Sequence, residues 1–425
     1  MSNSDLLGKC SYVADELIRR EKEIADARAS IGFLYKSSFA STRGTARMLK
    51  MFKQPLSVYG ERKGITGKGE EIAFLMPYNM GTTWSVFIAQ QLAVGNRVRM
   101  KPSEIDTRTG EILGDIWEKV APGEVAFDFR RGPEFMEWAI AEPRVKAVVL
   151  FGYHTVALSY MDKIVAAKKR FIFHGPGKNP FIVLEDANPK EAANGLFLAR
   201  FGGYGQGCGS PGRMYIHSAI YEEFLDHFVK LTRKLVAGDS KDPKTDVGPL
   251  GSPLAITRIK NQLEDAKSKG ARILCGGKIE GNLLHPTVVV DCNHSMLGLK
   301  EESFGPVCWF MPFNEVEEAI ALAKDSDLAH SLYVHGFKGL GKVLAELQGV
   351  PFLIEVDDYV FGRFGNVRVN PDLSQSARRD VSYIYIPRGE YGYSCWITDY
   401  RDGELVLKQG PKIDAIELSK GIRER

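Results

Sequence analysis

Between Glu71 and Gly175 the chain alternates short apolar runs with amphipathic stretches, and no other feature constrains its fold as strongly. The apolar runs are EIAFLMPYN, RVRMKPSE, EVAFDF, AVVLFGY and RFIFHG. Between them WSVFIAQQLAVG, TGEILGDIWEKV, GPEFMEWAIAE and VALSYMDKIVAAKK read as helices. Short β-rich runs separated by amphipathic helices predict a parallel sheet covered by helices on both faces. Ligands on such sheets bind outside the carboxyl ends of the strands. Here those ends carry Asn79, Lys101 with Glu104, Gly152 and His174.

A second α/β series begins near Lys178. NPFIVLEDAN reads as strand and loop, NPKEAANGLFLARF as helix, RMYIH as strand and YEEFLDHFVKLTRKLV as helix. Further on, ITRIKNQLEDAKSKGARILCGG reads as helix then strand, EESFGPVCWFMPF as loop then strand, and VEEAIALAKDSD as helix. Ahead of both series, residues 5–53 read as helical, with Leu6, Val13, Leu17, Ile18 and Ile24 set on one apolar face. Gly60 to Gly69 is glycine- and charge-rich, which predicts a turn between short strands. Residues 371–425 alternate Tyr, Ile and Val with polar residues, as edge or arm strands do. Such a tail is expected to pack on another subunit or to wrap the body. The fold class expected is α/β, in three parts: residues 1–177, 178–370 and 371–425.

Composition excludes several classes of function. Lys+Arg number 56 and Asp+Glu 53, a formal charge of +3, so nothing in the charge balance attracts nucleic acid or an acidic membrane. The longest apolar runs fall far short of the ~20 residues that a membrane span needs. The early, dense charges of MSNSDLLGKCSYVADELIRREKE do not read as a signal peptide. Six scattered cysteines form no CxxC pair, so no zinc ribbon or redox dithiol is expected, and no metal site. Sparse, unpaired cysteine in a long chain fits a reducing cytoplasm.

The residues from Phe201 to Arg213, FGGYGQGCGSPGR, place a single cysteine, Cys208, within a run dominated by glycine. Glycine permits positive φ and close approach of a ligand to the main chain. A thiol needs such access to attack a substrate. A mobile glycine loop around an inert cysteine is the alternative. Two apparent motifs fail. The sequence from Gly207 to Gly212 fits G-x-G-x-x-G literally, but a strand follows it where a dinucleotide fingerprint requires a helix. His174-Gly-Pro-Gly-Lys178 hints at a phosphate loop but lacks its first glycine, and Asn179 stands where Ser or Thr is required.

Seven segments in order and spacing resemble the NAD(P)-dependent aldehyde dehydrogenase superfamily. MPYNMG (76–81) is similar to the strand-end motif carrying the family's oxyanion asparagine. AVGNRVRMKPSE (93–104) is similar to its cofactor segment, LFGYHTV (150–156) to its "FTGS" turn, and HGPGKNPFIVLEDAN (174–188) to "ELGGK-P-IV--DA". GQGCGSPGR (205–213) resembles the nucleophile loop, and TDVGPL (245–250) and EESFGPV (301–307) also match. The resemblance runs from roughly Ser11 to Asn370.

This resemblance implies a Rossmann-like cofactor domain in 1–177, a catalytic domain in 178–370 and a β-rich oligomerisation arm in 371–425. Cys208 becomes the nucleophile, and Asn79 with the Cys208 backbone N–H holds the oxyanion. Met76, Pro77, Tyr78, Lys101, Glu104, Phe151, Gly152, Glu302 and Phe304 line the cofactor. Glu104 would bond the adenosine ribose and repel a 2′-phosphate, favouring NAD over NADP. Glu302 would hold the nicotinamide ribose, with Phe304 beside the ring. Substrates would be small aldehydes or acyl groups, and the protein a homodimer or homotetramer.

The chain also departs from the family pattern. His174 stands where the hydrolytic branch has its glutamate base, Pro176 replaces a small glycine, and Tyr153 replaces a small serine. Three readings of His174 stay open. It is itself the base, since imidazole titrates near neutrality. Alternatively the acceptor is not water, as in CoA-acylating branches, with CoA a co-substrate. In the third reading the site has decayed, leaving an impaired pseudoenzyme or a nucleotide-binding structural protein.

Overall fold

The protein is described from a computed structural model covering residues 3–52, 70–93, 95–326, 328, 331–336, 338–347, 353–356, 359–362, 395–401 and 404–409. The turn expected at Gly60 to Gly69 lies outside these residues.

Three helices lead the chain: α1 (Asn3–Arg19), α2 (Glu21–Ser30) and α3 (Tyr35–Lys50). Leu6, Cys10, Val13, Ala14 and Leu17 of α1 are all buried. Their spacing of three and four residues forms one stripe. Ile18, expected on that face, is 41% exposed, because it lies one residue and so about 100° round from Leu17.

The expected parallel sheet forms from β1 (Glu71–Leu75), β2 (Arg97–Lys101), β3 (Val125–Phe127), β4 (Val145–Phe151) and β5 (Arg170–His174). Its order is β3-β2-β1-β4-β5, and every one of these pairs is parallel. All five residues of β1 are buried, as expected of a central strand covered on both faces. The covering helices are α4 (Trp84–Ala93), α5 (Thr107–Val120), α6 (Gly132–Ala141), α7 (His154–Ser159) and α8 (Met161–Ala166). VALSYMDKIVAAKK, expected as one helix, breaks at Tyr160. Successive strands build outward from β1 on one side and then, after β3, from β4 on the other. The carboxyl ends of β1 and β4 therefore flank the topological switch point, where α/β sheets place their ligands.

Between His174 and Asn179 the chain passes into a second sheet. It contains β6 (Asn179–Val183), β7 (Pro211–His217), β8 (Arg272–Cys275), β11 (Thr287–Val290), β12 (Val307–Phe313), β13 (Ser331–His335), β14 (Leu353–Val356) and β15 (Tyr359–Gly362). The order is β15-β14-β13-β6-β7-β12-β11-β8, with β8 and β15 antiparallel to their neighbours. A small hairpin, β9 (Ile279–Glu280) and β10 (Leu283–Leu284), stands apart. Helices α9 (Pro189–Phe201) and α10 (Tyr221–Thr232) pack through Phe201, Phe224 and Phe228, the last two against Phe310 of β12. Burying each such ring contributes roughly 1.5–3 kcal/mol. Asn188 caps α9, accepting from the amides of Lys190 and Glu191, with Pro189 opening the helix.

Residues 395–401 and 404–409 form the strands β16 (Cys395–Arg401) and β17 (Glu404–Gln409). Here β16 adds antiparallel to β5, and β17 to β16. This part of the expected arm thus extends the first sheet and covers the edge that β5 would otherwise present.

Candidate active site

The carboxyl end of β1 runs directly into the site. Met76 N–H donates to the Lys101 carbonyl at 2.9 Å, continuing the ladder one residue past the strand. Pro77 is extended and opens a short 3-10 turn, Tyr78–Thr83, which kinks at Gly81. This turn reaches across to the cysteine loop in the other domain. Asn79 Nδ2 donates to the Gln206 carbonyl at 3.0 Å, and the Tyr78 hydroxyl donates to Gln206 Oε1 at 3.0 Å. Gly251 N–H donates to the same Gln206 oxygen at 3.1 Å.

The cysteine loop is held by its carbonyls. Asn179 Nδ2 donates to the carbonyls of Cys208 and Ser210, both at 2.8 Å. The Tyr333 hydroxyl donates to the Gly209 carbonyl at 2.6 Å. Buried Arg200 donates to Ser210 Oγ at 3.2 Å, to the Pro211 carbonyl at 2.7 Å and to the Gly305 carbonyl. Among the loop's glycines only Gly205 takes positive φ, +72°. A Cβ there would stand 2.2 Å from the Gly305 carbonyl oxygen. The loop is therefore tethered rather than free, and the decisive glycine lets the segment 302–305 approach closely.

Cys208 itself is half-buried. Its protein surroundings, together with the Glu302 charge, push the thiol up to about 12, against the pull of the Gly209 and Cys208 N–H groups. The resting sulfur is thus protonated at neutral pH. Glu302 is buried and accepts from Gly177 N–H at 2.9 Å. Burial raises its carboxyl to about 7, opposed by that hydrogen bond and by Arg258. Arg258 lies 3.9 Å from the carboxylate, donates to the Glu302 carbonyl at 3.0 Å, and also donates to the Tyr153 hydroxyl. Phe304 holds φ +54° and packs edge-on to Tyr78 with ring centroids 6.1 Å apart.

At the end of β2, Lys101 Nζ donates to Glu104 Oε1 at 3.2 Å. Glu104 also accepts from Gly132 N–H at 2.7 Å, at the start of α6, and this bond holds the carboxyl below its usual range. Glu104 is therefore ionised, at a helix N-terminus that favours negative charge. At the end of β4, Gly152 is exposed, and a Cβ there would meet only Leu150, at 3.8 Å. An open turn thus lies at the switch point, with the Lys101–Glu104 pair at the end of β2.

His174 ends β5. Its ring stacks on Phe151, with centroids 4.5 Å apart and planes within 8° of parallel, and its carbonyl accepts from Gly152 N–H at 3.0 Å. These contacts engage the turn at Gly152, whereas Glu302 is the carboxyl whose charge acts on Cys208. Among the described residues no group of three or more His, Cys, Asp or Glu is arranged to hold a metal ion, and no helix is long and apolar enough to cross a membrane.

Several contributors escaped sequence reasoning, among them Asn179, Arg200 and Tyr333, which hold the cysteine loop. Gln206 lay inside the GQGC segment, and its motif position was the available signal. Arg28, Arg258 and Tyr204 sit in ordinary helical or loop contexts and are brought in only by packing. Tyr204 OH donates to the Gly32 carbonyl at 2.9 Å, anchoring the cysteine loop to the turn after α2.

Two sheets with this topology, and a tethered cysteine loop facing the switch point, define the aldehyde dehydrogenase type of fold. An aldehyde dehydrogenase from Brucella melitensis biovar abortus 2308 shares it with a TM-score of 0.77, at 23% identity, covering 84% of this chain and 77% of that one. Residues 69–348, more than half of the chain, match the aldehyde dehydrogenase family, and the chain belongs to that family. It is 32% identical over 268 residues to the 2-aminomuconic semialdehyde dehydrogenase of Bos taurus, covering 60% of this chain and 55% of the relative. It is 29% identical over 320 residues to a probable succinate-semialdehyde dehydrogenase [NADP(+)] of Sinorhizobium fredii, covering 72% and 62%. The chain thus spans little more than half the length of these curated relatives.

Proposed function

We propose that the chain oxidises a small aldehyde, or reduces the corresponding acyl thioester, with a nicotinamide dinucleotide, using Cys208 as nucleophile. The observation that carries this reading is the bond from Asn79 to the Gln206 carbonyl. It draws a side-chain amide from the cofactor sheet to within two residues of the thiol. One N–H of that amide holds the loop, and the other is available to an oxyanion.

The Cys208 thiol gives its proton to solvent, and the sulfur adds to the aldehyde carbon as the C=O π pair moves to oxygen, forming a thiohemiacetal alkoxide. Asn79 and the Cys208 N–H stabilise that oxygen, a donor of this kind being worth on the order of 10²–10³ in rate. A bound dinucleotide supplies the hydride acceptor. Met76, Pro77, Tyr78, Phe151 and Gly152 would line its site, Lys101 and Glu104 would hold the adenosine ribose, and Glu302 and Phe304 the nicotinamide end. Ionised Glu104 favours NAD over NADP, although one relative is named for NADP(+). The Cys208 thioester is then released to CoA or to water. The stacking of His174 on Phe151 supports the non-water acceptor, because it directs the imidazole toward the cofactor turn. Assembly as a homodimer or homotetramer in the cytoplasm completes the reading, and sedimentation tests the assembly.

The experiment is turnover of a panel of aldehydes and acyl-CoA esters with NAD(H) and NADP(H), each with and without CoA, in the unaltered protein and in Cys208→Ala. Cys208-dependent turnover that rises strongly with CoA is expected. Equal rates with and without CoA, lost in His174→Ala, would make His174 the base for water. No turnover on the whole panel leaves a catalytically impaired nucleotide-binding scaffold.

A further inference from the structure

Arg28 belongs to neither sheet. It lies near the end of α2, 6% exposed, with its guanidinium directed at the back of the turn that carries Asn79. Nη1 donates to Asp106 Oδ2 at 2.5 Å and to the Tyr78 carbonyl, and Nη2 donates to the Asn79 carbonyl at 3.5 Å. The guanidinium lies over the Phe33 ring, 3.8 Å from its centre. The turn is moulded round this group. Gly81 holds φ +50° and ψ −129°, and a Cβ there would stand 3.1 Å from Arg28 Nε.

Asp106, the N-cap residue of α5, is 1% exposed. Burying both charges costs several kcal/mol each before their attraction is counted, so such a pair is weak evidence of a purely stabilising role. Its geometric effect is specific. A rigid fork takes hold of two successive carbonyls, and both of the side chains on that segment end on Gln206. Holding these carbonyls fixes the main chain from which the Asn79 side chain departs, and so the place from which Nδ2 reaches the Gln206 carbonyl.

We propose that Arg28, braced by Asp106, is a positioning residue that sets the direction in which Asn79 presents its amide to an oxyanion formed at Cys208. The proposal rests on the roles of Cys208 and Asn79 proposed above.

Two reactions of the same thiol separate positioning from structure. With p-nitrophenyl acetate, the Cys208 sulfur bonds to the acyl carbon through an oxyanion, p-nitrophenolate leaves and the thiol proton passes to solvent. With iodoacetamide, the sulfur bonds to the methylene carbon and iodide leaves, with no oxyanion. Both rates are measured on the unaltered protein, Cys208→Ala, Arg28→Lys, Asp106→Asn and the double variant Arg28→Met with Asp106→Leu, which removes both charges together. Arg28→Lys and the double variant are expected to slow acylation by about tenfold or more while alkylation stays within roughly twofold, as a misdirected oxyanion donor would. Asp106→Asn should show the same split in smaller degree. Rates that fall together in every variant, or an unchanged acylation rate in the folded double variant, overturn the proposal. If the unaltered protein gives no burst that Cys208→Ala abolishes, the nucleophile reading itself fails, before Arg28 is considered.

Discussion

The side-chain amide of Asn79 is bonded to the main-chain carbonyl of Gln206 at 3.0 Å, so the end of the central strand of one sheet is tied directly to the cysteine loop of the other. This bond falls two residues from Cys208 and is one of several between the two parts, with those from Tyr78 to Gln206, Arg258 to Tyr153 and Tyr204 to Gly32.

Asn79→Ala removes both the tether and the donor. Acylation of Cys208 by p-nitrophenyl acetate is expected to fall on the order of 10²–10³-fold. Stopped-flow detection of nitrophenolate checks this, and a loss of less than about tenfold would exclude an oxyanion role for Asn79.

Glu302→Gln alters the thiol in a pH-dependent way. Burial raises the Cys208 thiol first, and the Glu302 charge raises it further. Glu302 carries that charge only above about pH 7. The variant is therefore expected to alkylate with iodoacetamide faster than the unaltered protein at pH 8.5, by a few-fold, and at the same rate at pH 5.5. A slower variant at pH 8.5 would show that Glu302 assists deprotonation instead.

The same substitution has a stability signature of known sign. Glu302 titrates at about 7 in the folded chain against an ordinary 4.5. The folded state therefore binds the proton more tightly, and the cost of the buried charge grows as pH rises through that window and is absent below it. Glu302→Gln should stabilise the protein by on the order of 1–3 kcal/mol at pH 8 and by little at pH 4.5. Denaturant melts at the two pH values measure the difference, and equal effects at both would contradict it.

Arg200→Met should be the most damaging change near the loop. It takes a charged donor from the Pro211 and Gly305 carbonyls and from Ser210 Oγ, although Gly305 still accepts from Val307 N–H at 2.8 Å and Ser210 Oγ still donates to the Ala199 carbonyl at 3.3 Å. A loss of roughly 3 kcal/mol in denaturant unfolding is expected, since a hydrogen bond to a charged group contributes about 1.5–3 kcal/mol. A near-neutral result would mean that water replaces the guanidinium.

The alternation of strands and helices from Glu71 to His174 was legible because it depends on local periodicity and on which faces are apolar. The strand ends were legible for the same reason, and with them Asn79, Lys101, Glu104, Gly152 and His174. The strands Thr287–Val290 and Ser331–His335 were not read, since short apolar runs without flanking helical pattern carry little signal. The exposure of Ile18 was missed because one residue turns a helical side chain about 100° off its stripe.

The sequence by itself determined the fold class, the family resemblance and the residues that end each strand, all of which follow from neighbours along the chain. Only the tertiary structure decided that Asn79 meets Gln206, that Arg28 meets Asp106 across 78 residues, and that the strand Cys395–Arg401 covers the edge beside His174. It also decided that the Cys208 thiol and the Glu302 carboxyl are both shifted upward. Desolvation and charge at a site depend on what distant segments bring to it, and no local pattern records that.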